Sequence, residues 1–167
     1  THPGCTEKRN AVRMPWVSPD NACEFDGRMS LAKFKDKYLL YVRANTGVRG
    51  MRFVQVAESM TEVSFGPFQL IQIDNYSPVQ GEIYFFAVQT HPLHDNILLS
   101  VFPIVHAFCG CIAISFSTNG IRWSSPISLL QSNVFGDRTV DHPVAGLVRQ
   151  GESINLYLHK NVQNIVA

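Results

Sequence analysis

Three acidic residues recur at similar intervals, each opening an apolar run. Asp26 begins "DGRMS", Glu82 begins "EIYFF" and Asp141 begins "DHPVAG", with successive members 56 and 59 residues apart. Like charges held together raise the pKa of one carboxyl group, which makes it a proton donor near neutral pH. Cleavage of a glycosidic bond needs such a set, because one group protonates the leaving oxygen and another acts on water or on the sugar. We therefore predict that these three residues are catalytic; the alternative is structural, since acidic residues are common in turns before strands.

Basic and polar residues lie close to these carboxylates in the sequence. Arg28 follows Asp26 by two residues, which places both on one face of a strand. The predicted substrate-binding residues are Arg28, Arg43, Asn45 and His142. Arg52 is a further basic residue close to Arg43 in the sequence. Arginine donors suit sugars that carry carboxylate or hydroxyl groups. Solvated strand ends are the alternative for the arginines, and a loop cap is the alternative for His142. The six histidines show no metal-binding spacing, so we expect neither a metal nor another cofactor.

A repeat supplies the elements that would bring the carboxylates together. Ser59 is followed six residues later by Phe65, and Ser117 is followed six residues later by Trp123, with 58 residues between the two serines. Three strand-like runs, "YLLYVRANT", "ILLSVFPIV" and "INLYLHKNV", begin 59 and then 57 residues apart. Self-similarity at a fixed period is typical of repeat architectures such as propellers.

The repeating unit consists of four short strands. The predicted strands are 28–34, 38–44, 51–57 and 67–73, then 82–89, 97–104, 110–116 and 126–131, then 142–148 and 154–160. The first strand of a propeller blade lines the central channel, so the three carboxylates would converge there. We predict an all-β fold, a β-propeller of four-stranded antiparallel blades with about two and a half blades present. The predicted division is an irregular segment 1–23 and blades at 24–78, 79–138 and, in part, 139–167; a two-sheet sandwich is the alternative fold.

The residues of the turn between the third and fourth strands are predicted to have a structural role. We expect Ser59 and Ser117 to hydrogen-bond the local backbone, and Phe65 and Trp123 to fill the space between the turn and the body of the blade. In the second copy, the Asn-Gly pair at 119–120 supplies the positive φ that the turn requires.

Composition and cysteine spacing indicate which binding partners and which cellular location to expect. The 167 residues have a formal net charge of +1 and no long basic run, which argues against nucleic acid, and no apolar stretch is long enough to span a bilayer. A Cys5–Cys23 disulfide would pin the N-terminal segment and favour a secreted protein, with two unpaired thiols as the alternative. The chain begins with Thr1 and stops inside a third unit, so we expect a fragment of a longer protein. Its oligomeric state is not indicated.

The stretches "DGRMSLAKFKDKYLLYVRAN" and "RFVQVAESMTEVSFGPFQL" resemble the blades of five-bladed propeller glycosidases related to glycoside hydrolase families 43 and 32. "STNGIRW" is similar to a degenerate sialidase Asp-box, with Asn119 where that motif often has Asp. The resemblance implies five blades in the complete protein and a carbohydrate ligand or substrate. It also implies that Asp26 is the base or nucleophile and that Glu82 and Asp141 share the acid and orienting roles. The chain departs from the families in having Glu second and Asp third, and in lacking the "RDP"-type motif of family 32.

Three functions follow from these observations. The first is a glycoside hydrolase-like propeller that hydrolyses glycosidic bonds with channel-lining carboxylates. The second is a non-catalytic propeller that binds carbohydrate or protein, and the third is a structural repeat whose site lies in further blades. The arrangement of the carboxyl groups distinguishes the first from the second.

Overall fold

The computed structural model describes residues 28–46, 51–77, 80–105, 110–132 and 139–163. The strands are β1 Ser30–Phe34, β2 Lys37–Thr46, β3 Met51–Ser59, β4 Gln69–Leu70, β5 Gln72–Ile73, β6 Glu82–Ile83, β7 Ala87–His91, β8 His94–Val105, β9 Gly110–Ser117, β10 Arg122–Trp123, β11 Ile127–Ser132, β12 Thr139–Gln150 and β13 Ser153–Gln163. Within these ranges there is no α-helix. The prediction of an all-β fold is therefore confirmed.

The strands form three successive antiparallel units. The first sheet has the order β1-β2-β3-β4; in the second sheet β8 pairs with β6, β7 and β9, and β9 pairs with β11. The third unit is the β12–β13 hairpin. Strand after strand pairs with its neighbour in sequence, as in the blades of a propeller, and the result is a partial propeller-like fold.

Side chains of the second sheet are buried on both of its faces, as β8 shows. Leu98 and Phe102 belong to an aromatic-rich core shared with the first sheet. Leu99 and Val101 belong to a separate aliphatic cluster, against which Leu147, Leu156 and Leu158 of the third hairpin pack. Since successive residues of a strand point to opposite faces, this alternation places the second sheet between its two neighbours. The three layers stack in series, which distinguishes the fold from a sandwich of two sheets.

Hydrogen bonds between first strands repeat the period of the sequence. The Ser30 hydroxyl donates to the Val88 carbonyl oxygen at 3.2 Å and accepts from the Val88 amide at 2.9 Å, 58 residues away. The Gln89 side-chain amide donates to the Leu147 carbonyl oxygen at 2.8 Å, again 58 residues away. Equivalent segments of three units, β1, β7 and β12, therefore lie side by side.

The serine turns adopt the predicted conformation in both copies. Ser59 Oγ donates to the Ser64 carbonyl oxygen, and Ser117 Oγ donates to the Arg122 carbonyl oxygen at 2.6 Å, in each case five residues onward. Trp123 is 1% exposed, whereas Phe65 is only half-buried, so the aromatic residue fills the core fully in the second copy alone.

Gly120 supplies the positive φ of the second turn, at 84°. A Cβ atom at this position would lie 2.4 Å from Leu39 Cδ1 and 2.8 Å from Tyr41 Oη. Glycine is thus required twice, for the left-handed backbone and for the close approach of the first sheet to this turn.

Two predicted strands are interrupted. The run 82–89 divides into β6 and β7, because it carries one residue more than the facing stretch of β8: Ile83 pairs with Ile104, whereas Ala87 pairs with Val101. The run 67–73 divides into β4 and β5. Here β5 leaves the first sheet and pairs in parallel with β10, next to the second serine turn. This short pairing joins the first and second sheets along the chain.

Candidate functional site

Charged side chains gather at one end of the sheets, where β3, β6 and β12 begin. We call this the site end, defined by Arg28, Arg52, Glu82 and Asp141, and we call the opposite end, defined by Ser59 and Ser117, the turn end. Arg52 Nη1 of the first sheet lies 2.9 Å from Glu82 Oε2 of the second. The Glu82 side chain is 30% exposed, so a ligand can reach this carboxylate.

Aromatic contacts continue from this ion pair toward the third hairpin. The Arg52 guanidinium lies over the Tyr84 ring, 5.1 Å from its centroid. His142 stacks on Tyr84 with the ring centroids 5.2 Å apart, and it meets Phe85 edge-on at 5.6 Å. Tyr84 is thus covered by groups of its own protein. Its role is to connect Glu82, through Arg52, with the start of β12.

Asp141 precedes His142 in β12 and is 7% exposed. Lys160 of β13 places its Nζ 2.7 Å from Asp141 Oδ2. His142 lies opposite His159, which is also in β13. Burial lowers the pKa of His142, the charges of His159 and Arg28 lower it further, and Asp141 opposes them. The Nε2 atom of His142 is buried and has no hydrogen-bond partner among the described residues.

Arg28 closes the site end on the side of the first sheet. Its Nη1 donates to the Pro143 carbonyl oxygen at 3.2 Å, and its guanidinium lies 5.2 Å from the centroid of the Phe85 ring. A groove of about 280 Å³ opens beside it, between the first strands of the three units. The groove is lined by Arg28, Met29, Ser30, Leu31, Phe85, Phe86, Ala87, Val88, Gln89, Ala145 and Gly146.

The structure places the predicted site residues as follows. Glu82, Asp141, Arg28 and His142 lie at the site end and are linked by the contacts above. Asp26 lies outside the described residues, as do Cys5 and Cys23. Asn45 is in β2, where its backbone pairs with Arg52. Arg43 is 8% exposed, and its carbonyl oxygen accepts a hydrogen bond from the Gln55 side chain at 3.1 Å.

Sequence reasoning missed Tyr84 as a connecting residue and Lys160 as the partner of Asp141. Symmetric pairing about the β12–β13 turn would place Asp141 opposite Val162. Irregularities between Val140 and His142, and between Pro143 and Leu147, shift the register and bring in Lys160 instead. The residue types in β12 and β13 do not predict these shifts in register.

Two kinds of feature are absent from the described part of the chain. In that part, no three His, Cys, Asp or Glu side chains are grouped so that they could hold a metal ion. The same residues contain no helix that is long and apolar enough to cross a membrane.

Comparison with known proteins finds likeness in fold alone. No family model matches the chain, and neither does any curated protein. A structure described as showing that the GH130 family of mannoside phosphorylases contains glycoside hydrolases that target beta-1,2 mannosidic linkages in Candida mannan aligns with a TM-score of 0.53 and 12% identity. The alignment covers 94% of this chain and 53% of that one. A glycosyl hydrolase from Bacteroides ovatus aligns with a TM-score of 0.46 and 14% identity, over 57% of this chain and 29% of that one.

The alignments cover only part of each neighbouring structure. The chain spans about half the length of the GH130 structure and less of the Bacteroides ovatus structure. At 12% identity the likeness to the GH130 structure shows a shared fold. The chemistry of this chain has to be argued from its own residues.

Proposed function

We propose that this chain belongs to a glycoside hydrolase-like propeller that cleaves glycosidic bonds with carboxylates at the site end. One observation carries the proposal: Glu82 and Asp141 lie at equivalent ends of consecutive units, and Arg52, Tyr84 and His142 form a chain of contacts between Glu82 and the start of β12, where Asp141 lies. Glycosidases act with carboxyl groups that flank the scissile bond. The fold shared with a glycoside hydrolase-containing family is in agreement with this chemistry.

Exposure separates the roles of the two carboxylates. The Glu82 side chain is 30% exposed at the site end, so we assign it the part that contacts the reacting sugar. The Asp141 side chain is 9% exposed and bound by Lys160, which suits a group that orients its neighbours. Asp26 stays the predicted third member of the set.

The test is hydrolysis by the purified full-length protein of a panel of plant, algal and microbial oligosaccharides, followed by release of reducing ends. Glu82→Gln preserves the shape of the side chain and removes its acid–base function, so we expect turnover to fall by about a hundredfold or more. Glu58→Gln is the matched control. Glu58 also forms an ion pair, with Lys37 at 2.6 Å, and lies in the same strand as Arg52 but about 20 Å toward the turn end.

The outcomes are distinct. Loss of turnover in Glu82→Gln with normal turnover in Glu58→Gln supports the proposal. Equal turnover in the two variants, or no hydrolysis of any substrate by the wild-type protein, contradicts it.

A second function, carbohydrate binding without catalysis, is favoured by one observation. Each carboxylate already has a cation beside it, Arg52 for Glu82 and Lys160 for Asp141, as in a site built for rigidity. In that case oligosaccharides bind without being cleaved, and calorimetry detects binding where the hydrolysis assay detects no product.

A further inference from the structure

Arg28 differs from the other cations of the site end. Arg52 and Lys160 are each paired with a carboxylate, Glu82 and Asp141 respectively. Among the described residues Arg28 makes no ion pair, and its protein contacts are a backbone carbonyl group and an aromatic ring. With both described carboxylates of the site end paired, Arg28 leaves a positive charge beside the groove.

The guanidinium of Arg28 is held in place by these two contacts. Nη1 donates to the Pro143 carbonyl oxygen on the third hairpin, and the planar group rests over the Phe85 ring of the second sheet. An arginine has five N–H donors, so one hydrogen bond leaves a fork of donors available. Such a fork matches the two oxygens of a carboxylate, and its fixed position reduces the entropy lost on binding.

The groove beside Arg28 has the character of a sugar subsite. Its volume of about 280 Å³ lies just below the usual range for ligand sites, which suits a single sugar ring. Phe85, Phe86 and Val88 form part of its wall but are themselves buried, so the surface open to a ligand comes from exposed residues such as Arg28 and Met29. A Cβ atom on Gly146 would lie 1.7 Å from Gln89 Oε1, so glycine keeps room for the Gln89 amide at the groove wall.

We propose that this groove binds a uronic acid residue of an acidic glycan, with the sugar carboxylate on the Arg28 guanidinium. The inference rests on the proposed function, because it names the class of substrate for the same site.

The test is calorimetric titration of the full-length protein with thio-linked, hydrolysis-resistant oligouronides of galacturonate, glucuronate and mannuronate, and with their methyl esters. Esterification removes the charge and keeps the sugar, so we expect the acid forms to bind at least tenfold more tightly. Arg28→Gln should weaken binding of the acid form by about tenfold to a hundredfold and should change binding of the ester by less than about twofold. Arg28→Lys, which keeps the charge and loses the fork, should fall between wild type and Arg28→Gln.

Arg122→Gln is the matched control, since Arg122 is also an exposed arginine but lies near the turn end and pairs with Asp74 at 3.3 Å. This variant should bind the acid form as the wild type does. Esters that bind as tightly as the acids, no binding of any oligouronide, or equal losses in the Arg28 and Arg122 variants would each overturn the inference. Hydrolysis of neutral glycans without preference for uronides would overturn it while leaving the proposed function in place. Tight binding of uronides that are never cleaved would support the inference and remove the proposed hydrolase activity.

Discussion

The turn end and the site end of the sheets are built from different kinds of contact. At the turn end the second serine turn closes on itself: Ser117 Oγ accepts from the amides of Asn119 and Gly120 and donates to Arg122, all within five residues. At the site end the side chains reach across units. Arg52 contacts Glu82 of the next sheet, and Arg28 contacts Pro143, 115 residues onward.

This difference separates what holds the fold from what could act on a ligand. At the turn end Ser117 binds the nearby amides of Asn119 and Gly120, and Trp123 and Tyr41 share one core, with ring centroids 5.9 Å apart. The site end leaves charged groups at the surface where three units meet. Changes at the turn end should therefore alter the free energy of unfolding at any pH, and changes at the site end should alter ligand binding and the pH dependence of stability.

The largest expected effect is that of Trp123→Ala. Trp123 is 1% exposed and packs edge-on against Tyr41 and Phe86, so its removal leaves a large cavity between the first and second sheets. We expect the free energy of unfolding to fall by about 3 to 5 kcal/mol, measured by urea denaturation.

Phe65→Ala is the matched control, because Phe65 holds the same place in the first serine turn but is half-buried. It should cost about 1 to 2 kcal/mol. Equal losses in the two variants would show that the two turns are equivalent and that the core contact of Trp123 is not what stabilises the second.

The next effect in size is that of Gly120→Ala. The new Cβ atom meets Leu39 and Tyr41 of the first sheet at less than 3 Å and is attached to a backbone with φ of 84°. We expect a loss of about 2 to 4 kcal/mol in thermal or urea unfolding. Gly151→Ala separates the two causes, since Gly151 has φ of 63° and no atom within 4 Å of the added Cβ. It should cost about 1 kcal/mol, and a cost as large as that of Gly120→Ala would contradict the packing argument.

Much of the fold could be predicted because the information is local. The spacing of Ser117 and Trp123 identifies the turn, and short continuous apolar runs such as that of β8 identify the strands. The breaks in the strands could not be predicted. They depend on the extra residue between β6 and β7 relative to β8, and on the pairing of β5 with β10, and both are set by how the strands pair in the folded protein.

The candidate site could be predicted only in part. Glu82 and Asp141 are found by their place at the start of a repeated segment, which needs no knowledge of contacts. Their partners Arg52 and Lys160 come from other strands, and the register that selects them is set by packing and by irregularities in β12. Repetition in sequence locates equivalent positions, and it does not specify which side chains meet between units.

The smallest expected effect concerns His142 at the site end and pH. Burial first, then the charges of His159 and Arg28, lower the pKa of this imidazole against the opposing effect of Asp141. In the unfolded chain the histidine has its ordinary pKa of about 6.5, so the unfolded state takes up a proton at higher pH than the folded state does. The contribution of neutral His142 to stability is therefore complete above about pH 6.5 and is lost as the pH falls below it.

We expect the urea midpoint to drop between about pH 7.5 and about pH 5.5, and to drop less in His142→Phe, which keeps a ring against Tyr84 but cannot be protonated. Arg28→Gln should give a drop between the two, because it removes one of the charges that oppose protonation. If wild type and His142→Phe lose the same stability over this range, protonation of His142 does not couple to folding.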